Sequence, residues 1–140
     1  MLILDTDHFS DFLWGGMAAG RLQRRLEASP LPAAISIITV EEQNRGWLAI
    51  IAKARVPAAR IAAYHRYQVL TDALNDWDVI AWNLEAEERL SQLTSHKLRI
   101  GSMDLRIAAI CLDQNATLLS RNLRDFGRVP GLLVEDWTAP

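Results

Sequence analysis

The chain has 140 residues, half of them hydrophobic and only one of them cysteine, which suits a single domain and excludes an intrachain disulfide or a cysteine-based zinc site. Its net charge of −2 argues against a protein that coats DNA without sequence preference. No apolar stretch is long enough to cross a bilayer, and the N-terminus lacks the basic start of a signal peptide, so we expect a cytoplasmic protein.

Short apolar runs typical of buried strands alternate along the chain with segments of helical spacing. A polar and aromatic segment follows the first strand, prolines end the first helix, and Pro57 opens a later one. In chain order, the sequence predicts a strand at 2–4, a helix at 21–28, a strand at 33–39, helices at 39–55 and 57–72, a strand at 77–81, helices at 84–98 and 102–114, a strand at 116–120, a helical turn at 122–126 and an edge strand at 131–134.

This alternation predicts an α/β fold in one domain over residues 1–140. We expect a short, mainly parallel sheet of four to five strands with helices on both faces, because parallel strands need crossover connections. In such sheets, binding sites lie beyond the carboxyl ends of the strands, where the strand order reverses. Candidate functional residues are therefore sought at that edge.

Four acidic residues lie where this rule directs attention. Asp5 ends the first predicted strand, Glu42 follows the second, Asp104 lies in the first turn of a helix, and Asp125 follows the fourth strand. If their carboxylates converge, mutual repulsion opposes folding unless a cation intervenes. Ligands that are all oxygen favour Mg²⁺, or Mn²⁺ in its place, over zinc.

Each of these acids also has an ordinary structural explanation. Thr39 and Glu42 have the spacing of a capping box, in which the glutamate would satisfy backbone N–H groups. Asp104 suits the positive end of a helix dipole, an effect of about 0.3–1 kcal/mol. Asp5 could cap the helix after the first strand, and Asn122 resembles an N-cap with Asp125 as the acid at the third position after it. The pattern alone leaves both explanations open.

Four segments of the sequence carry a resemblance to a known family. LDTD at 4–7, ITVEEQNRG at 38–46, MDLRIAA at 103–109 and LLSRNLRDFGRVPGLLVEDW at 118–137 resemble the successive signature blocks of the PIN domain. More narrowly, they are similar to VapC-type toxins of bacterial toxin–antitoxin pairs. The order, the spacing and the total length match, so the resemblance covers nearly the whole chain.

The resemblance implies a function as well as a fold. It implies a Mg²⁺-dependent endoribonuclease toxin that cleaves RNA, with tRNA or ribosomal RNA as the target. It also implies a homodimer that a cognate VapB-type antitoxin holds inactive. Neither the RNA sequence that is cut nor the identity of the antitoxin follows from these motifs.

The family pattern also assigns roles to individual residues. Asp5 and Asp104 fall on acidic metal ligands of the family. Glu42, rather than Glu41, matches another, because the family's acid stands four residues before the glycine that is Gly46 here.

The fourth acidic place is open. Many PIN domains have an aspartate where this chain has Asn122, whereas the most similar toxins have an acid at the position of Asp125. Ser120 replaces a common threonine and keeps its hydroxyl, and Asp7 stands where asparagine is usual.

A catalytic hypothesis follows from these assignments. Asp5 and Asp104 would hold one metal ion, with Glu42 and Asp125 acting directly or through water, and the number of ions is open. An activated water would then attack the phosphorus in line and leave a 5′-phosphate, without a protein nucleophile.

Several other residues have two interpretations. Arg121 and Arg124, together with Ser120 and Asn122, are candidates for substrate binding, but solvated arginines on a short helix fit equally well. His8 is more easily explained as a histidine on a helix surface than as a substrate contact. Tryptophans are expected in the core by default, or at an antitoxin or dimer interface. The apolar run at 48–52 exceeds what one helix face needs, and a dimer would cover it.

Two rival functions remain at this stage. A catalytically silent PIN-like module that binds RNA or protein is one, since Asn122 occupies an acidic place of the family. The other is a haloacid dehalogenase-like phosphatase with Asp5 and Asp7 as nucleophile and acid, for which Lys97 is the only plausible downstream lysine.

Overall fold

Five short strands and seven helices make up the structure, a computed structural model that describes residues 1–140. The strands are β1 (Leu2–Leu4), β2 (Ala33–Ser36), β3 (Asp78–Ile80), β4 (Thr117–Leu119) and β5 (Leu133–Glu135). The helices are α1 (Thr6–Trp14), α2 (Met17–Ala28), α3 (Ile37–Lys53), α4 (Pro57–Leu74), α5 (Leu84–Ser95), α6 (Ser102–Asp113) and α7 (Leu123–Phe126). None of the helices is both long and apolar enough to span a membrane.

The sheet is entirely parallel and has the strand order β3-β2-β1-β4-β5. The chain first moves outward from β1 through β2 to β3, and then crosses back to add β4 and β5 on the other side. The order in which strands are added to the sheet therefore reverses between β1 and β4. The carboxyl ends of these two strands are joined by a 3.0 Å hydrogen bond from the Asp5 N–H to the Leu119 carbonyl. Binding sites of α/β sheets lie at such a point.

The sheet is covered on both faces, as predicted. Alternate residues of β1 enter two different cores, Ile3 on one side and Leu2 with Leu4 on the other. The first core is built mainly from α5 and α6, and the second from α1, α2 and α4. Because all three β1 side chains are buried, the central strand is held rigidly, and Asp5 starts from a fixed position.

The second strand is shorter than predicted. It ends at Ser36 instead of residue 39, and α3 begins at Ile37 instead of Thr39. The cause is Ser36, whose hydroxyl accepts a 3.2 Å hydrogen bond from the Thr39 N–H and so caps the helix, a contribution of about 1 kcal/mol. The capping box predicted from Thr39 and Glu42 is therefore wrong, because Glu42 lies in the second turn of α3.

The segment after β1 contains more helix than predicted. Two helices, α1 and α2, replace the single one predicted at 21–28. They are separated by Gly15 and Gly16, whose φ angles of 89° and 112° lie in the region that side chains disfavour. The remaining elements lie where the sequence predicted them, with ends that differ by a few residues.

Candidate active site

The four predicted acids come together at the carboxyl edge of the sheet, around Asp104. Burial raises the pKa of Asp104 to about 6, and four neighbouring carboxylates add to the rise. In decreasing order of effect, these are Glu42, Asp5, Asp125 and Asp7. These carboxylates belong to the beginning of α1 and to α3, α6 and α7. Their negative charges therefore repel one another although they lie far apart in the sequence.

Asp5 serves its helix and the cluster at once. Its side chain is the N-cap of α1 and accepts a 2.8 Å hydrogen bond from the His8 N–H through Oδ1. The capping explanation thus holds for this residue. It does not exclude a second role, because Oδ2 receives no hydrogen bond from the protein, and the Asp5 charge still acts on Asp104.

Glu42 is tied to the site by α1. Its Oε1 accepts a 2.6 Å hydrogen bond from the hydroxyl of Thr6, the residue after Asp5. Glu41 instead pairs with Arg45, one turn along the same helix, at 2.7 Å. The structure therefore places Glu42, and not Glu41, against the other acids.

Asp104 and Asp125 lie in the first turns of their helices, but neither is the cap. Helix α6 has no side-chain cap, since Gly101 occupies that position. Helix α7 is capped by Asn122, whose Oδ1 accepts from the Asp125 N–H at 3.3 Å. The Asn122 amide also donates to Asp125 Oδ2 at 3.0 Å, so the amide orients the carboxylate that stands beside it.

The cluster fits a hard divalent cation by its charge and by its donor atoms. All the donors are carboxylate oxygens, which suit Mg²⁺ or Mn²⁺. A cation would relieve the repulsion that raises the pKa of Asp104. The carboxylates do not form a complete coordination shell in this structure. No three His, Cys, Asp or Glu side chains lie close enough together to bind one ion.

Comparisons with known proteins bear on the fold of the chain. No family model matches the sequence. Fifty residues are 40% identical to Ribonuclease VapC2 of Rickettsia felis, a match that spans 36% of this chain and 37% of that relative.

Solved structures match over nearly the whole length. A chain of the toxin–antitoxin complex from Klebsiella pneumoniae matches with a TM-score of 0.70 and 26% identity, covering 98% of both chains. A chain of VapBC2 from Rickettsia felis matches with a TM-score of 0.74 and 22% identity, over 97% of this chain and 98% of that one. VapBC-1 from nontypeable Haemophilus influenzae gives the same score and identity, over 99% and 98%.

The chain has the PIN-domain fold of VapC proteins. The resemblance seen in the sequence blocks is thereby confirmed, and so is the predicted α/β architecture. The phosphatase alternative loses its support, since the whole chain follows this different fold.

The residues after β4 form one rim of the site in this PIN domain. Ser120 is buried, and its hydroxyl accepts a 3.0 Å hydrogen bond from the Asn122 N–H, which shapes the turn into α7. Arg121 reaches across to Asp11 on α1, with 2.9 Å between Nη1 and Oδ2. Arg124 is exposed on α7. Of the two arginines, Arg121 is the one anchored beside the acids.

Asp7 adds a further charge at the α1 rim. Burial and the neighbouring Asp5 raise the pKa of Asp7, whereas Arg121 lowers it. Asp7 and Asp11 stand four residues apart and so lie on one face of α1, and Asp11 is the residue that pairs with Arg121.

Sequence interpretation missed the environment of His8. The side chain is fully buried rather than on a helix surface, and its Nε2 accepts a 3.3 Å hydrogen bond from the Trp137 N–H, 129 residues away. No local sequence pattern predicts a contact between residues so far apart in the chain.

The aromatic residues near the site pack as the default interpretation predicts. Trp14 and Trp47 contact edge to face at 5.3 Å, and both pack against the second core. Together with Thr6 and Glu42, they line a cleft of about 320 Å³ that adjoins the acids.

Proposed function

We propose that this PIN domain is a Mg²⁺-dependent endoribonuclease, the toxin of a VapBC-type toxin–antitoxin pair. One observation carries the proposal: Asp5, Glu42, Asp104 and Asp125 gather at the reversal point of the sheet, where burial, together with repulsion from the other three, raises the pKa of Asp104 to about 6. The partial match to a relative named Ribonuclease VapC2 supports the same activity.

Asp5 and Asp104 are the residues that would hold the cation, with Glu42 and Asp125 beside them. When bound, a divalent cation activates water and offsets negative charge on the phosphate. Thr6 holds the Glu42 carboxylate in place through its hydroxyl. The chain therefore orients the Glu42 carboxylate before substrate arrives, and groups oriented in advance lower a reaction barrier.

The α7 rim would bind the RNA backbone. Arg121 offers a guanidinium fixed by Asp11 at 2.9 Å, and such a group suits bidentate contact with phosphate oxygens. Ser120 and Asn122 define the turn that carries it. Arg124 is exposed nearby and adds positive charge. These contacts are independent of base sequence, so a tRNA or ribosomal RNA target must be selected by the shape of the surface.

We assign the exposed apolar surface of α3 and α4 to protein partners. Its residues are Leu48, Ile50, Val56, Ile61 and Tyr64. Exposed apolar residues concentrated on two neighbouring helices are typical of a protein interface. A homodimer covering the run at 48–52 and a VapB-type antitoxin are the partners proposed. The matched structures of VapBC and toxin–antitoxin complexes support the antitoxin.

Expression in a bacterial host, with and without the adjacent small gene, tests this function. We expect growth arrest that the adjacent gene relieves and that Asp5→Asn abolishes. Sequencing of RNA 5′ ends during arrest should show one or a few discrete cleavage sites. Purified protein should cleave the same RNA with Mg²⁺ and should stop when EDTA is added.

A catalytically silent binding module is the second candidate, favoured by Asn122 in an acidic place of the family. It predicts that RNA is bound but never cut, whichever divalent ion is added, and that Mn²⁺ gives little thermal stabilisation. Cleavage that depends on Asp5 excludes this alternative.

A further inference from the structure

The buried side chain of His8 lies between Asp5 and the C-terminal residue Trp137. On one side, Nδ1 lies 3.5 Å from Asp5 Oδ1. On the other side, Nε2 accepts the 3.3 Å hydrogen bond from the Trp137 N–H. The ring therefore spans from the first acid of the site to the C-terminal Glu-Asp-Trp segment, and neither the catalytic hypothesis nor the family pattern gives it a role.

The hydrogen bond from Trp137 determines which ring nitrogen carries the proton. A backbone N–H can only donate, so Nε2 accepts from Trp137, although Asp136 Oδ1 also lies 3.5 Å from Nε2. In the neutral imidazole that accepts this bond, the proton resides on Nδ1. Nδ1 is fully buried and has no hydrogen-bond partner within normal limits. A buried donor that stays unpaired costs about 1–3 kcal/mol, so Nδ1 favours a closer approach to Asp5 Oδ1, its acidic neighbour.

The C-terminal segment that contacts His8 Nε2 is itself held in place by other residues. Asp136 accepts two hydrogen bonds from Thr138, at 2.8 and 2.6 Å. Arg21 on α2 donates to the Thr138 carbonyl at 2.7 Å, and the guanidinium of Arg25 stacks over the Trp137 ring at 5.3 Å. The donor that fixes His8 is thus itself fixed against α2.

We infer that His8 is a positioning residue for the cation site, which directs its Nδ1–H at Asp5 Oδ1 and so orients the Asp5 carboxylate. The His8 N–H already donates to the same oxygen at 2.8 Å. With both donors on Oδ1, Oδ2 is free of protein hydrogen bonds and remains for a divalent cation. The inference rests on the proposed function, since it concerns how the same site binds its ion.

Partners that orient a metal-binding carboxylate are energetically significant. Their removal typically weakens metal affinity about 10- to 100-fold. A histidine that only stabilises the fold would lower stability and leave the affinity for the ion unchanged. Metal affinity and stability therefore separate the two roles.

Two substitutions divide the functions of the ring. His8→Gln places its amide near the position of Nε2, so it keeps an acceptor for the Trp137 N–H and loses the group that faces Asp5. His8→Asn places its amide near the position of Nδ1, so it keeps a donor for Asp5 and loses the contact with Trp137. Phe9→Leu is the matched control, because Phe9 is the adjacent fully buried residue of α1 and packs against Trp77 instead.

The experiment is a Mn²⁺ titration by calorimetry on each folded protein, together with thermal melting in EDTA. We expect His8→Gln to weaken Mn²⁺ binding about 10- to 100-fold with a modest loss of thermal stability. We expect His8→Asn to lose more thermal stability and to bind Mn²⁺ within about threefold of the unmodified protein, and Phe9→Leu to lower only the melting temperature.

Two results overturn the inference alone. One is unchanged Mn²⁺ affinity in His8→Gln, and the other is an equal loss of affinity in Phe9→Leu, either of them in a protein that binds Mn²⁺ and cleaves RNA. If the unmodified protein neither binds Mn²⁺ nor cleaves RNA, the proposed function fails and the inference fails with it.

Discussion

The hydroxyl of Thr6 donates to the carboxylate of Glu42 across 2.6 Å and so joins the first turn of α1 to the second turn of α3. Thr6 follows Asp5 directly, and Glu42 is a strong electrostatic neighbour of Asp104. One short side chain thus ties Glu42 to the residue that follows Asp5. This bond also explains why Glu42 rather than Glu41 faces the site, since Glu41 is held by Arg45.

Thr6→Val should therefore weaken the site while leaving the fold intact. The substitution keeps the shape of the side chain and removes its hydroxyl, so Glu42 loses the donor that orients it. We expect Mg²⁺-dependent cleavage to fall about 10-fold, in the range typical for groups that orient ligands. Cleavage rates at several Mg²⁺ concentrations measure this, because added Mg²⁺ should restore part of the loss.

Thr71→Val is the matched control for that experiment. Thr71 lies exposed on α4, where its hydroxyl donates only to the Tyr67 carbonyl. Its loss should change cleavage less than twofold. Equal effects of the two substitutions would contradict the role given to Thr6.

Asp104→Asn should make the protein more stable when no divalent ion is present. The carboxyl group has a pKa near 6 in the folded protein against 3.8 ordinarily, so charging it opposes folding. A shift of this size corresponds to about 3 kcal/mol at full strength, and because the group is half exposed, we expect a gain of about 1 kcal/mol. Urea unfolding in EDTA at pH 7.5 measures it.

The pH dependence of that gain follows from the direction of the shift. Below pH 3.8 the carboxyl group is protonated in both states, so the two proteins should be equally stable. Between pH 3.8 and about 6 the unfolded chain releases the proton first, and the penalty grows; above pH 6 it is complete. Mn²⁺ at pH 7.5 should reverse the order, since only the unmodified protein keeps the ligand. A gain that is the same at pH 3.5 and pH 7.5 would contradict the electrostatic explanation.

The sequence was sufficient for the parts of this structure that depend on local patterns. Parallel strands follow from apolar runs separated by helices, and the position of Asp5 at the end of β1 follows from the end of such a run. The start of α3 was not predictable in the same way, because Ile37 and Ile38 suit a strand and a helix equally. The Ser36 hydroxyl decides between them.

The contacts that complete the site depend on tertiary structure. His8 is buried because the C-terminal segment returns to α1, and its partner Trp137 is 129 residues away. The hydrogen bond between Thr6 and Glu42 likewise joins residues 36 apart in sequence. Periodicity cannot reveal such pairs, whereas the acids themselves were found because parallel strands bring their carboxyl ends to one edge.

Leu48→Glu should disrupt the proposed homodimer. Leu48 lies on α3 with 53% of its surface exposed, and a charge at a buried apolar interface is costly to desolvate. We expect the unmodified protein to elute as a dimer and Leu48→Glu as a monomer at micromolar concentration, measured by light scattering. Met17→Glu is the control, because Met17 is exposed on α2. A dimer that survives Leu48→Glu would place the interface elsewhere.

Arg121→Ala should weaken RNA binding in a way that depends on salt. Arg121 is the arginine that Asp11 fixes beside the acids. Without it, the protein makes one phosphate contact fewer, and fewer counterions leave the RNA on binding. Measured in an Asp5→Asn background, where RNA stays uncut, affinity should fall about 10-fold. The slope of log affinity against log salt should decrease by about 0.7–1.

Arg45→Ala is the control for Arg121→Ala. Arg45 is also an arginine in an ion pair, but its partner is Glu41, which is not among the carboxylates that act on Asp104. It should leave both the affinity and the salt slope unchanged. If the two substitutions reduce the slope equally, the effect reflects overall charge, and Arg121 makes no specific contact with the RNA backbone. If only Arg121→Ala reduces it, the rim formed by α1 and α7 is where the RNA phosphates bind.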